Sequence, residues 1–202
     1  MIVVVRHGRT EANAQGLLLG RLDPALDDEG RRQAATIGAG LGALDVARVV
    51  TSPLRRCRTT AAAVAEVLSV ARDAHVDVEV DDRWVEMDYG VLDGVPLTDV
   101  PADTWATWRS DPTWAPEGGE SIAQLGTRVR IACDALADEA NRRDVVVVTH
   151  VSPIKAAVAW ALGVGDEVAW RMWVAPASIT RIGVGPSGHP ALRSFNEVAH
   201  LT

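Results

Sequence analysis

Residues 144–150 read DVVVVTH, and four consecutive valines leave few folds open to the chain. Successive side chains of a strand point to opposite faces. A strand that is valine throughout is apolar on both faces and must be covered on both. Helices that cross between parallel strands provide that cover, so DVVVVTH is expected at the centre of a mostly parallel sheet. Residues 2–5, IVVV, predict a second buried strand of the same kind.

The rest of the chain alternates strand with helix. Residues 28–44 predict a helix with Asp27 as its N-cap. Residues 47–52 predict a strand. Residues 53–71 predict a helix capped by Ser52 with Pro53 in its first turn. Residues 76–80 alternate as a strand. Residues 121–140 predict an amphipathic helix opened by a capping box of Ser121 and Gln124. A helix over 152–162 follows the central strand, and residues 178–184 and 190–195 predict two closing strands. Between them, residues 94–118 predict an irregular, lid-like insertion with four prolines and three tryptophans, Trp105, Trp108 and Trp114. Core filling is the preferred role for those rings over substrate stacking. The expected fold class is α/β, a three-layer sandwich with helices on both faces of the sheet. With 202 residues, one domain spanning 1–202 buries a sizeable core.

Composition narrows the function. The net charge of −7 argues against nucleic acid as the main partner. No apolar run approaches the ~20 residues of a membrane span. No basic segment followed by a long apolar stretch opens the sequence, so a cytoplasmic protein is expected. Cys57 and Cys133 fit a reducing compartment better than a disulfide framework. The five histidines lack zinc-type spacing, so neither metal nor other cofactor is expected.

In parallel sheets, ligands bind where strand C-terminal ends meet helix N-termini. Three such junctions carry chemistry. The first is Arg6-His7-Gly8. The second is Ser52-Pro53-Leu54-Arg55-Arg56-Cys57-Arg58, where three arginines stand at the helix end whose dipole disfavours cations. An anion would compensate them; a solvated arginine face paired with carboxylates is the alternative. The third is His150-Val151-Ser152-Pro153-Ile154-Lys155, which holds the only lysine of the chain. A lone histidine at a strand end is more often structural, but two on one sheet edge suggest more. Glu86 lies among Trp84, Val85, Met87 and Tyr89. A carboxyl in apolar company suits a general acid; an edge-strand surface glutamate is the alternative. Two histidines, several arginines and one carboxyl suit phosphoryl transfer, with a histidine nucleophile and arginines on the phosphoryl oxygens.

RHGRT (6–10), GRLDPAL (20–26), DDEGRRQA (27–34), TSPLRRCRTTAA (51–62), EMDYGVLDG (86–94) and VVVVTH (145–150) occur in one order along the chain. In that order they resemble the histidine phosphatase superfamily, the phosphoglycerate mutase-like proteins, over nearly the whole sequence. The resemblance implies that His7 is the phosphorylated nucleophile and Glu86 the proton donor. Arg6, Arg56, Asn13 and His150 would bind the phosphoryl group. Thr10, Gly20, Arg21, Val151 and Lys155 are expected on the substrate side. The family usually has glycine after the second histidine; Val151 stands there, so the pocket is expected to differ locally and to recruit Lys155. The implied partner is a small phosphorylated metabolite, with a homodimer compatible. The family holds phosphatases and longer, cofactor-dependent phosphoglycerate mutases. The length favours a small phosphatase, with a mutase as the alternative. A silent scaffold is less favoured because Arg6, His7, Arg56, Glu86 and His150 are all present.

Overall fold

The computed structural model describes residues 1–185 and 189–202. The described strands are β1 (Ile2–Arg6), β2 (Val46–Thr51), β3 (Val78–Val80), β4 (Asp144–Thr149), β5 (Ile179–Val184) and β6 (Pro190–Glu197). They form one sheet in the order β3-β2-β4-β1-β5-β6. The first four pair in parallel, and β5 and β6 close the sheet antiparallel. The four-valine strand is therefore central, with β1 on one side and β2 on the other.

Helices α1 (Glu11–Ala14), α2 (Asp28–Leu41), α3 (Arg55–Arg72), α4 (Ala102–Ser110), α5 (Ile122–Ala140) and α6 (Val151–Leu162) surround it. The strand period of two divides the core. Ile2, Val4, Val145 and Val147 pack with α5 and α6 on one face. Val3, Val5, Val146 and Val148 pack with α2 and α3 on the other. Both faces are dry, which is what a run of valines requires. The fold is the expected α/β sandwich. Among the described residues no helix is long and apolar enough to cross a membrane.

Several boundaries differ from the expected ones, each for a local reason. Helix α2 stops at Leu41, with Gly42 as its C-cap, instead of reaching residue 44. Strand β3 is only three residues long and exposed throughout, as an edge strand can be. The stretch 94–118 is not irregular throughout: it contains α4, which places Trp105 and Trp108 on one helix face and stacks their rings at 5.6 Å. The capping box of Ser121 and Gln124 forms as expected.

The two helix starts nearest the sheet edge are corrected together. Helix α3 begins at Arg55 and Ser52 is not its cap. The Ser52 hydroxyl is 2.7 Å from His150 Nε2, and the Arg55 amide donates instead to Asp23 Oδ2 at 2.7 Å. Helix α6 begins at Val151, ahead of Ser152. There the Ser152 amide donates to Glu86 Oε1 at 3.2 Å. Both helices thus receive at their N-termini a carboxylate from a distant segment, where the dipole favours negative charge.

Candidate active site

The register of the sheet assembles the site. Arg6 lies opposite Thr149, and Thr51 lies opposite Val148. The strand ends are level, and backbone bonds extend the ladder past them: the His7 amide donates to the Thr149 carbonyl and the Ser52 amide to that of Val148, both at 3.0 Å. His7, Ser52 and His150 therefore leave the sheet side by side. The rings of His7 and His150 meet edge to face with centroids 5.1 Å apart.

Each imidazole has one tautomer that fits its partners. His7 Nδ1 is 2.7 Å from the Gly8 carbonyl oxygen, which can only accept. Nδ1 therefore carries the proton and Nε2 keeps its lone pair. His150 Nδ1 accepts from Arg56 Nε at 3.3 Å, so its proton is on Nε2 and is donated to Ser52 Oγ. Burial, reinforced by the charges of Arg56 and Arg6, pushes His7 well below the usual histidine range. Burial and Arg56 do the same to His150. Both rings are neutral at neutral pH.

Arg56 is fully buried. Its terminal nitrogens donate to the carbonyls of Leu22 at 2.6 Å and Gly20 at 2.8 Å, and Asp23 lies 3.5 Å away. That frame is held by Asp93, whose carboxylate accepts from the amides of Gly20, Arg21 and Leu22, each at 2.8 Å. Arg6 donates from one terminal nitrogen to the Val174 carbonyl at 2.6 Å. Its Nε is buried without a partner among the described residues. Burial lowers the Arg6 pKa to about 10, which still leaves it charged at pH 7.

Glu86 is buried, and its company is polar where the sequence suggested apolar. Oε1 accepts from the Met87 amide at 2.7 Å and the Ser152 amide at 3.2 Å. Asn13 Oδ1 accepts from the Thr10 amide and hydroxyl in a capping box on α1, which leaves its Nδ2 for a ligand. Arg6, His7, Asn13, Glu86, Val151 and Lys155 all line one cavity of about 300 Å³. Among the described residues no group of three or more His, Cys, Asp or Glu side chains is placed to hold a metal ion.

The model of the histidine phosphatase superfamily, branch 1, matches residues 2–198. The chain belongs to that superfamily. It is 33% identical over 207 residues to the bifunctional protein Rv2228c of Mycobacterium tuberculosis, a match that covers 99% of this chain and 54% of the relative. The chain thus spans about half the length of the first curated relatives it matches. It is 30% identical to phosphoserine phosphatase 1 of Hydrogenobacter thermophilus, over 99% of this chain and 93% of the relative. Among solved structures, the mycobacterial glucosyl-3-phosphoglycerate phosphatase Rv2419c complexed with VO3 superposes with a TM-score of 0.85 and 31% identity, covering 98% of each chain.

Within this histidine phosphatase fold not every expected residue reaches the cavity. His150 and Arg56 lie behind His7 and outside the cavity wall. Thr10 is fully buried in its capping box and bears on the cavity only through Asn13. Gly20 offers its carbonyl to Arg56, and a side chain there would meet the Met87 carbonyl at 2.7 Å. Arg21 turns away to Asp88 and Glu120, at 4.0 and 3.9 Å. Conversely, Asp23 and Asp93 were not singled out by the sequence, and Ser52 was read only as a helix cap, although all three fall in the quoted motifs. Arg128, which donates to the backbone carbonyls of Arg83 and Glu86, gave no local signal at all.

Proposed function

We propose that this chain is a phosphomonoesterase acting through a phosphohistidine on His7. The observation that carries the reading is the bond from His7 Nδ1 to the Gly8 carbonyl. It leaves a neutral imidazole with its Nε2 lone pair available, in a cavity wall that also holds Arg6 and Glu86. A neutral imidazole is a nucleophile, whereas an imidazolium is not.

In this mechanism Nε2 attacks phosphorus as the P–O ester bond breaks. Glu86 relays a proton to the departing alkoxide. Water then attacks the phosphohistidine, its proton passes to the Glu86 carboxylate, and the P–N bond breaks to release inorganic phosphate. The balance is one ester and one water for one alcohol and one phosphate. Arg6, with its unpartnered Nε, and Asn13 Nδ2 hold the phosphoryl oxygens. Arg56 and His150 supply charge and support behind the nucleophile. Arginine charge stabilises what the transferring phosphoryl group develops, so this route uses no metal ion.

The test is to trap the intermediate. A short incubation with a radiolabelled phosphate ester should give an acid-labile, alkali-stable label, absent in His7→Ala. No label on the wild-type protein while esters turn over would overturn the reading. So would interconversion of 3- and 2-phosphoglycerate much faster than hydrolysis, the mark of a mutase.

A further inference from the structure

Beyond the anion-binding end, the cavity wall is mostly apolar. Its wall is built by Leu17, Leu97, Trp105, Trp170, Met172 and Trp173, among other apolar side chains. Besides the indole N–H groups, of which that of Trp108 is buried without a partner among the described residues, four charged or polar side chains interrupt it: Asp166, Ser152, Tyr89 and Lys155. Asp166 is held by Arg130 at 2.7 Å. Ser152 Oγ is engaged with the Tyr89 hydroxyl at 3.1 Å. Lys155 is the only cation in that wall apart from Arg6. A polyhydroxylated leaving group would find few partners there, and each unpaired buried hydroxyl is penalised.

The indole rings of the wall pack on one another except at one place. Trp105 stacks on Trp108, meets Trp170 edge to face at 6.0 Å, and carries the Arg109 guanidinium 5.6 Å from its ring centre. Trp173 is different. It lines the cavity, has no aromatic partner among the described residues and is 71% exposed. Leu97, in the same wall, is 45% exposed. Large apolar side chains exposed around a concavity mark a surface that a ligand covers.

We infer that the substrates are phosphate esters of alcohols with an aromatic or bulky apolar body, and that Trp173 and Leu97 select them. This rests on the phosphatase reading and names the substrate class of that same site. The volume, about 300 Å³, is at the small end of ligand cavities and suits one fused ring system beside the phosphoryl group.

The experiment compares primary-alcohol esters, whose leaving groups have similar basicity: 2-(2-naphthyl)ethyl phosphate, glycerol 1-phosphate and O-phosphoserine. Phosphorylation of His7 by acetyl phosphate, which is too small to reach the tryptophans, is followed alongside. The naphthylethyl ester should have a kcat/KM at least tenfold above the other two, mainly through a lower KM. That preference should fall at least fivefold in Trp173→Ala, and also in Leu97→Asn. If His7 is phosphorylated but the preference is below tenfold, or survives both substitutions, the inference is overturned and the phosphatase reading stands. If neither acetyl phosphate nor any ester reacts, the phosphatase reading falls and the inference with it.

Discussion

Arg56 donates from Nε to Nδ1 of His150 across 3.3 Å, and this one contact sets which nitrogen of a fully buried imidazole holds the proton. The same guanidinium grips the carbonyls of Gly20 and Leu22. A lysine has a point charge and no planar fork, so it cannot make the three bonds together. Arg56→Lys should lower kcat/KM by about 10²-fold, the scale of losing one charge-stabilising donor. Steady-state kinetics on any turned-over ester checks this, and an effect under threefold would remove Arg56 from the site.

Asp93 fixes Arg56 at one remove, by accepting three consecutive amides of the loop at 20–22. Asp93→Ala leaves those amides without their acceptor and frees the two carbonyls that frame Arg56. Stability should fall by about 1–3 kcal/mol. In the protein that remains folded, kcat should fall about tenfold while Arg56 stays present. Urea unfolding and kinetics on the same preparation measure both. Unaltered kcat would mean that the loop does not position Arg56.

Gly8 and Gly30 pass each other at backbone contact. A Cβ on Gly30 would be 1.9 Å from the Arg9 carbonyl oxygen, and one on Gly8 would be 2.3 Å from that of Gly30. Backbone on both sides cannot yield as a flexible side chain would. Gly30→Ala should cost about 2 kcal/mol or more, or roughly 4–8 °C in Tm for a chain of this size. It should also disturb His7 through Gly8, whose carbonyl sets the tautomer. A thermal melt within a degree of wild type would contradict this packing.

Acid should unfold the protein through its buried histidines. His7 and His150 are held well below 6.5 in the folded state, chiefly by burial. His200 is lowered as well, again chiefly by burial. In the unfolded chain these rings take protons near pH 6.5. Below that value the unfolded state binds more protons, so folding stability rises with pH through this window and is lost as pH falls. The slope is up to about 1.4 kcal/mol per pH unit for each histidine. Urea midpoints measured from pH 8 to pH 5 should show this decline, and His7→Asn should flatten it. A flat profile would mean that the rings are charged in the fold.

Neither cysteine should react while the protein is folded. Cys57 is buried at the start of α3, with Sγ 3.3 Å from His150 Nε2, and Cys133 is buried in α5. Burial pushes both thiols far above their ordinary range. A thiol-reactive dye should label no cysteine of the native protein and two after urea unfolding. Rapid native labelling would show that the sheet edge opens.

Much of this protein was decided locally. A run of four valines can only be a strand covered on both faces, and the parity of that strand and of IVVV already separates the two halves of the core. The Ser121–Gln124 capping box joins residues three apart, so the sequence contains it whole. His7, Arg56 and His150 follow strands or open helices, and parallel sheets bring such junctions to one edge. What the sequence could not contain was every contact between distant segments. At that edge Asp23 and Glu86 accept first-turn amides of α3 and α6, where the sequence offered only Ser52 as a cap for α3, because distant carboxylates reach those amides only after the chain folds. Asp93 binds a loop more than seventy residues away. The cavity is shared by α4, the segment around Trp170 and Trp173, and the start of α6, so no single stretch has its apolar character. Local periodicity and capping follow from neighbours along the chain, while the tautomers, the arginine frame and the apolar cavity wall follow from neighbours in space, which the tertiary structure alone supplied.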